Sequence, residues 1–197
     1  MTLEAVIPLA TSRSERVESY AGIVTALGAA FPGLVIHTVA REVTGTSDKA
    51  TANADLARCL GSVAADHVVF IEDDVALSGG FREAVERSIR RLDKREKLGM
   101  VSLFSRRDGP PGFRPVPDRR FKQSQCVVMH RRVAIEWARQ LRDVHPTRDW
   151  DVVLCRAPLV LGLEVEELLP SVAQHRCIPS VFGHHADYTA PTYSQEG

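Results

Sequence analysis

The sequence lacks long apolar segments and an excess of either charge. No stretch approaches the roughly 18 consecutive apolar residues that a membrane-spanning helix needs, and residues 1–20 have neither the basic nor the apolar region of a signal peptide. The 25 basic and 25 acidic residues cancel, so no overall field draws the chain to nucleic acid or to an anionic membrane. We therefore expect a cytoplasmic protein without a membrane span, in which any attraction for anions is local.

The sequence also lacks cysteine pairs of the kind that hold zinc or form redox sites. Cys59, Cys126, Cys155 and Cys177 are widely spaced, and no CxxC motif occurs. We expect reduced and mostly buried thiols, as is usual in a cytoplasmic protein.

What is present has the pattern of one α/β domain. Amphipathic or alanine-rich stretches alternate with short apolar runs, and the helix after the second run is predicted to have its cap near Ser47 or Asp48. The predicted strands are 4–9, 34–39, 67–71, 98–104 and 126–129. The prolines of residues 105–118 predict a long loop without a regular element, and 133–141 predicts a helix.

These elements predict a Rossmann-like fold with a mixed, mostly parallel sheet flanked by helices. The length of 197 residues and the 44% hydrophobic content fit one core. We place the domain at residues 1–185 and a polar tail at residues 186–197.

Three adjacent carboxylates, Glu72, Asp73 and Asp74, follow the apolar run HVVFI and precede the apolar VAL. An open α/β sheet binds its ligands at the carboxyl ends of its strands. Because neighbouring carboxylates repel each other and resist desolvation, we expect a divalent cation there, and hard oxygen ligands with a phosphate suit Mn²⁺ or Mg²⁺. The alternative is a solvated turn or a helix cap, which the apolar flanks disfavour.

A later histidine is expected to complete this site. His175 is the first candidate, because the segment that carries it can return to the edge of the sheet. His184 and His185, near Asp187, are competitors. A structural, hydrogen-bonded histidine is the alternative for each of them.

Five short motifs follow one another along the chain: an arginine-bearing loop after the first strand, GTSxKAxxN, IEDD, DWD and PSVxQH. In this order they resemble nucleotide-sugar glycosyltransferases of the GT-A fold. The EDD element is similar to the LEDD form of the DxD motif in the lipooligosaccharide glycosyltransferases and the N-acetylglucosaminyltransferase IV group. The resemblance spans about residues 5–183, and EDD and PSVxQH are its specific motifs.

The resemblance implies transfer of a sugar from a nucleoside diphosphate sugar to an acceptor hydroxyl, with a bound cation. It implies that Glu72, Asp74 and His175 hold the cation. The residues that it implies at the donor are Asp73, Arg13 or Arg16, Lys49 and Asn53.

The resemblance also implies a general base in the DWD motif, because related enzymes place that carboxylate before an apolar, buried run. Asp151 is the first candidate and Asp149 the second. We prefer an inverting mechanism and leave retention open. The alternative for Asp149 is a cap on a helix that begins at Trp150.

A basic stretch lies between residues 106 and 132. It predicts a solvated loop or, alternatively, a loop that holds a diphosphate, an anionic acceptor or a nucleic acid, including one whose modified base accepts the sugar. Phe113 and Phe121 are its only aromatic residues, which gives stacking on single strands little support. The expected contacts are Arg106, Arg107 and Arg114, and its other cations are Arg119, Arg120, Lys122, Arg131 and Arg132.

Two other function classes fit parts of this pattern. A nucleotidyltransferase also uses carboxylates at a strand end with magnesium, but it ordinarily has a glycine-rich loop after the first strand, and ATSRSER contains no glycine. A binding module for nucleotides or nucleic acid, without enzymatic activity, would use the basic stretch.

Overall fold

The computed structural model describes residues 2–42, 49–117, 121, 124–176, 178 and 193. The strands, numbered in chain order, are β1 (Leu3–Ala10), β2 (Val35–Arg41), β3 (His67–Ile71), β4 (Val75–Leu77), β5 (Gly99–Ser102), β6 (Gly112–Pro115), β7 (Cys126–His130), β8 (Glu164–Leu169) and β9 (Ala173–His175). The helices are α1 (Ser14–Ala30), α2 (Lys49–Ser62), α3 (Phe81–Asp93), α4 (Arg131–Arg139) and α5 (Trp150–Leu161), and α4 continues into a π-helical turn, Gln140–Val144.

Seven of these strands form one sheet in the order β2-β1-β3-β7-β5-β8-β6. Strands β2, β1, β3, β5 and β8 run in one direction, and β7 and β6 run in the other. β4 and β9 form a separate antiparallel pair. The predicted mixed, mostly parallel sheet flanked by helices is thus confirmed.

Strand β3 is the centre of the core. Side chains alternate between the two faces of a strand, so Val68 and Phe70 pack toward α2, α4 and α5, while Val69 and Ile71 pack toward α1 and α3. The fully buried Trp137 meets Phe70 edge to face, with 4.8 Å between ring centroids. Because β3 is buried on both faces, the position of the acids that follow it is fixed by the core.

Two sequence predictions about elements were wrong. Residues 105–118 contain the strand β6, which is the last strand of the sheet and pairs with β8. An edge strand tolerates its proline, because one side of the strand needs no ladder hydrogen bonds. The apolar run after the DWD motif is buried on one side only: it forms α5, in which Val153, Leu154 and Ala157 are buried while Leu159 and Val160 are 56% and 60% exposed.

Several predictions fall outside the described residues: the cap at Ser47 or Asp48, the histidines His184 and His185 with Asp187, Cys177, and the boundary of the tail at residue 186. Tyr193 is described, and it packs against the cluster formed by α1 and α3. The described cysteines form no disulfide with one another; Cys126 is buried, and Cys59 and Cys155 are half-buried. Among the helices of the described ranges, none combines the length and the apolar character that crossing a membrane requires.

Candidate active site

Four segments distant in sequence meet at the carboxyl end of β3. Residues 72–74 follow this strand, and β1 beside it leads into α1. The antiparallel strand β7 begins opposite the end of β3, since Cys126 pairs with Ile71. Strand β9 lies against β4, with His175 opposite Val75. The topology therefore brings residues from both ends of the chain to the acidic triplet.

Arg16 forms ion pairs with two of the three acids. Its Nη1 contacts Asp73 Oδ1, and its Nη2 donates to Asp74 Oδ2 at 2.7 Å. Burial alone would lower the pKa of Arg16, but the charges of Asp74 and Asp73 raise it above its ordinary value. The backbone N–H of Ala10 donates to Asp73 Oδ2 at 2.8 Å, so the protein itself engages both oxygens of Asp73. Burial raises the pKa of Asp73 to about 6, although Arg16 acts in the opposite direction.

Glu72, Asp74 and His175 come together as potential metal ligands. One ligand atom from each lies within 4.8 Å of the others, and His175 Nε2 is 3.2 Å from Asp74 Oδ2. Burial and then the charge of Asp74 hold the pKa of Glu72 well above its ordinary value. Burial also acts to raise the pKa of Asp74, but the hydrogen bond from His175 and the charge of Arg16 outweigh it and lower that pKa.

The donor set of this cluster fits a divalent cation. Asp74 Oδ1 is buried and has no hydrogen-bond partner among the described residues, and an unpaired buried oxygen of this kind is costly. A cation would satisfy it and would offset the repulsion between Asp74 and Glu72. The two carboxylates suit Mn²⁺ or Mg²⁺ with further ligands from a phosphate, and the imidazole suits transition-metal ions.

Two residues of the site were missed by the sequence reasoning. Ser124 Oγ donates to Glu72 Oε1 at 2.8 Å, and the backbone N–H of Glu72 donates to the carbonyl of Gln125 at 2.9 Å. Both precede β7 and reach Glu72 because β7 pairs antiparallel with β3. Their only signal in the sequence is a polar pair before an apolar run, which does not reveal the neighbour of the strand.

Lys49, Asn53 and Asp149 are brought together where the start of α2 meets the loop before α5. Lys49 Nζ contacts Asp149 Oδ1. Asn53 is buried, and its Nδ2 donates to the carbonyls of Pro146 at 3.0 Å and Arg148 at 2.6 Å. Asp149 occupies the cap position of α5, yet its side chain makes no cap hydrogen bond. These contacts fasten the loop before α5 to the start of α2.

Asp151 lies in the first turn of α5 and is half-buried. Its Oδ1 accepts the backbone N–H of Val152 at 2.7 Å. Its negative charge contributes to the raised pKa of Glu72, after burial and the charge of Asp74. Asp151 is therefore close enough to the acidic triplet for a direct electrostatic effect.

The predicted arginine contacts are dispersed. Arg13 is exposed immediately before α1, and Arg106 is exposed after β5. Arg107 Nη1 lies 3.1 Å from Oε1 of Glu167, a fully buried acid that the sequence reasoning also missed. Arg114 is on β6, where its Nη2 donates to the carbonyl of Pro110 at 3.3 Å.

The prediction of one basic loop over residues 106–132 was wrong. This segment contains β6, β7 and the start of α4. Arg131 and Arg132 follow His130, which pairs with the first residue of β3. They therefore lie near the amino-terminal end of β3, whereas the acids follow its carboxyl end. Arg119, Arg120 and Lys122 are outside the described residues.

Comparison with known proteins gives a fold and no family. No family model and no curated protein sequence matches the chain. Among solved structures, it is similar to Staphylococcus aureus TarS 1–349, with a TM-score of 0.50 and 10% identity over 88% of this chain and 59% of that one. The same region of TarS is also known in complex with UDP-GlcNAc, with a TM-score of 0.50 and 10% identity over 88% of this chain and 57% of that one.

A third similar structure is a mutant of Drosophila beta-1,4-galactosyltransferase 7 in complex with manganese, UDP-Gal and xylobiose. Its TM-score is 0.51 and its identity 9%, over 89% of this chain and 71% of that one. The chain therefore shares the GT-A-like α/β fold of these solved structures and spans about three fifths of the TarS fragment.

Proposed function

We propose that the protein is a metal-dependent glycosyltransferase that moves a sugar from a nucleoside diphosphate sugar to an acceptor hydroxyl. The observation that carries this proposal is the convergence of Glu72, Asp74 and His175 within 4.8 Å at the carboxyl end of the central strand. The similar structures named above support it, since two of them contain a UDP-sugar and one of these also contains manganese.

In this proposal Glu72, Asp74 and His175 hold Mn²⁺ or Mg²⁺. When bound, the cation stabilises the negative charge that develops on the departing diphosphate. Arg16 keeps the acids in place through its bonds to Asp73 and Asp74. The donor contacts of Arg13 or Arg16, Lys49, Asn53 and Asp73, and the more specific likeness to the lipooligosaccharide and N-acetylglucosaminyltransferase IV groups, stay predictions.

Asp151 is our candidate for the general base, with Asp149 second. An inverting transfer needs a carboxylate on the face of the sugar opposite to the leaving diphosphate, where it takes the proton of the acceptor hydroxyl. Asp151 acts electrostatically on Glu72, which supports its presence at the site. Asp149 is paired with Lys49, which makes it less available.

The first experiment measures thermal unfolding of the purified chain with UDP or GDP, in the presence and absence of Mn²⁺. We expect nucleotide to raise the Tm only when Mn²⁺ is present, because a ligand that binds the folded state alone stabilises it. Asp74→Asn should abolish this shift. Glu83→Gln is the matched control, since Glu83 is an exposed carboxylate on α3 whose side chain is 74% exposed.

Unchanged nucleotide binding in Asp74→Asn would remove the metal assignment. A mass-spectrometric screen of nucleotide sugars with Mn²⁺ then separates the function classes. Hydrolysed or transferred sugar supports the glycosyltransferase, and release of pyrophosphate from a nucleoside triphosphate and a sugar phosphate supports a nucleotidyltransferase. Stabilisation by DNA alone supports the binding module.

A further inference from the structure

A second cluster of potential metal-binding side chains lies at the amino-terminal end of β3, opposite to the end that carries the acidic triplet. His67 is the first residue of β3 and His130 the last residue of β7, and the two are direct partners in the antiparallel register. Residues that face each other in this way project from the same side of the sheet. Their imidazole rings lie 5.2 Å apart between centroids.

Asp93, the last residue of α3, completes this cluster. One ligand atom each from His67, Asp93 and His130 lies within 4.8 Å of the others. Asp93 Oδ1 is 3.0 Å from His67 Nε2. Half of the Asp93 side chain is exposed, so its carboxylate can adjust without disturbing the core.

The buried imidazole of His67 has no hydrogen bond in the described part of the chain. His67 is 2% exposed, and neither its Nδ1 nor its Nε2 has a hydrogen-bond partner there. The carboxylate of Asp93 is near enough to Nε2 but does not lie in the direction that a hydrogen bond needs. Nδ1 of His130 has no partner either. A buried polar ring without partners is unusual and suits a site that a ligand completes.

We propose that His67, His130 and Asp93 bind a transition-metal ion of the zinc class. Imidazole nitrogen with carboxylate oxygen is a donor set that zinc takes up in tetrahedral geometry, with water in the remaining position. With bonds of about 2.0 Å, neighbouring ligand atoms in a tetrahedral site are about 3.3 Å apart. His67 Nε2 and Asp93 Oδ1, which are 3.0 Å apart, are already near this separation, and the three ligand atoms lie within 4.8 Å of one another.

The charges around the cluster are compatible with a cation. The positive charge of Arg95 acts on His130, but Arg95 is itself paired with Glu164, 3.5 Å away, and with Glu166. The exposed Asp66 adds a negative charge beside His67. A bound ion would join the start of β3, the end of β7 and the end of α3. It would therefore stabilise the packing of α3 against this end of the sheet.

This proposal does not depend on the proposed function, and the experiment keeps the two sites apart. Zn²⁺ binding is measured by isothermal titration calorimetry in a Glu72→Gln/Asp74→Asn background, which removes two ligands of the acidic site. We expect one Zn²⁺ per chain in this background and a Zn²⁺-dependent rise in Tm.

Two substitutions test the ligands. Asp93→Asn and His130→Ala should each weaken Zn²⁺ binding by more than the about 10- to 100-fold typical of losing an outer-shell partner. Glu96→Gln and His145→Ala are the matched controls, and both should bind Zn²⁺ as the background does. Asp93→Asn alters an exposed side chain, so a folding defect does not obscure its result. Absence of Zn²⁺ binding in the background, or binding unchanged by both ligand substitutions, would overturn the proposal.

Discussion

Glu72, Asp73 and Asp74 are consecutive in sequence, but each has different partners. Both oxygens of Asp73 are engaged, one by Arg16 and one by the Ala10 N–H. Glu72 accepts a hydrogen bond from Ser124, and Asp74 keeps one buried oxygen without a partner in the described residues. Asp74 therefore has an oxygen available to a cation, whereas Asp73 is better suited to joining β1 and α1 to the end of β3.

Asp151→Asn tests the general base. We expect donor binding to stay as in the wild type, because Asp151 is not part of the cluster of metal ligands. Transfer should fall by about 10²- to 10⁴-fold, the usual contribution of a positioned general base. The measurements are the nucleotide-induced shift in Tm and the rate of transfer with the donor identified by the screen.

Asp143→Asn is the control for that substitution. Asp143 is an exposed carboxylate whose Oδ1 accepts from Arg142 at 2.7 Å, away from the acidic triplet. Turnover that persists in Asp151→Asn would exclude Asp151 as the base. The same loss in Asp149→Asn with Asp151→Asn fully active would move the assignment to Asp149.

At the scale of elements, α2 positions the loop that leads into the DWD motif at the start of α5. Asn53 donates to the carbonyls of Pro146 and Arg148, and Lys49, one turn earlier on the same helix, contacts Asp149. The start of α5, and with it Asp151, is thus held by side chains of α2. This arrangement gives Lys49 and Asn53 of the GTSxKAxxN motif a structural reason that does not require contact with a donor.

Asn53→Ala tests this positioning role. Leaving the two carbonyl groups without their donor should lower the free energy of unfolding by about 1–3 kcal/mol. Urea denaturation measures this loss, and Thr51→Ala is the control because Thr51 is exposed on the same helix. We also expect a lower rate of transfer with donor binding retained. Full stability combined with lost donor binding would instead show that Asn53 contacts the donor, as the sequence resemblance implies.

The sequence alone predicts a strand or a helix correctly where the pattern lies within that segment. The apolar run before Glu72 predicts a buried strand with acids at its end, and residues 133–141 predict a helix; both are present, the second as α4 and its π-helical turn. The neighbour of a strand is not a local property. Insertion of antiparallel β7 beside β3 brings Ser124 to Glu72 and His130 to His67, and no spacing in the sequence indicates either pair. The strand β6 was missed because proline is tolerated at a sheet edge.

At the scale of the whole molecule, the described arginines of residues 106–132 do not form one surface. Arg107 is paired with the buried Glu167 near the carboxyl ends of the strands, while Arg131 and Arg132 lie at the opposite end. The total charge is zero. Affinity for nucleic acid depends on the number of phosphates that are neutralised together, and a divided set of cations neutralises few of them.

We therefore expect weak binding to nucleic acid. The dissociation constant for a short labelled duplex at physiological salt should be higher than about 10⁻⁴ M, the weak end of ordinary non-specific binding. Fluorescence anisotropy over a series of salt concentrations measures it. Binding tighter than about 10⁻⁶ M, with a salt slope near −5 that indicates about six phosphate contacts, would contradict this expectation. Comparing Arg106→Ala/Arg107→Ala with Arg131→Ala/Arg132→Ala would then identify which end of the sheet binds the nucleic acid. The two pairs lie too far apart in the fold to serve one groove beside the acidic triplet.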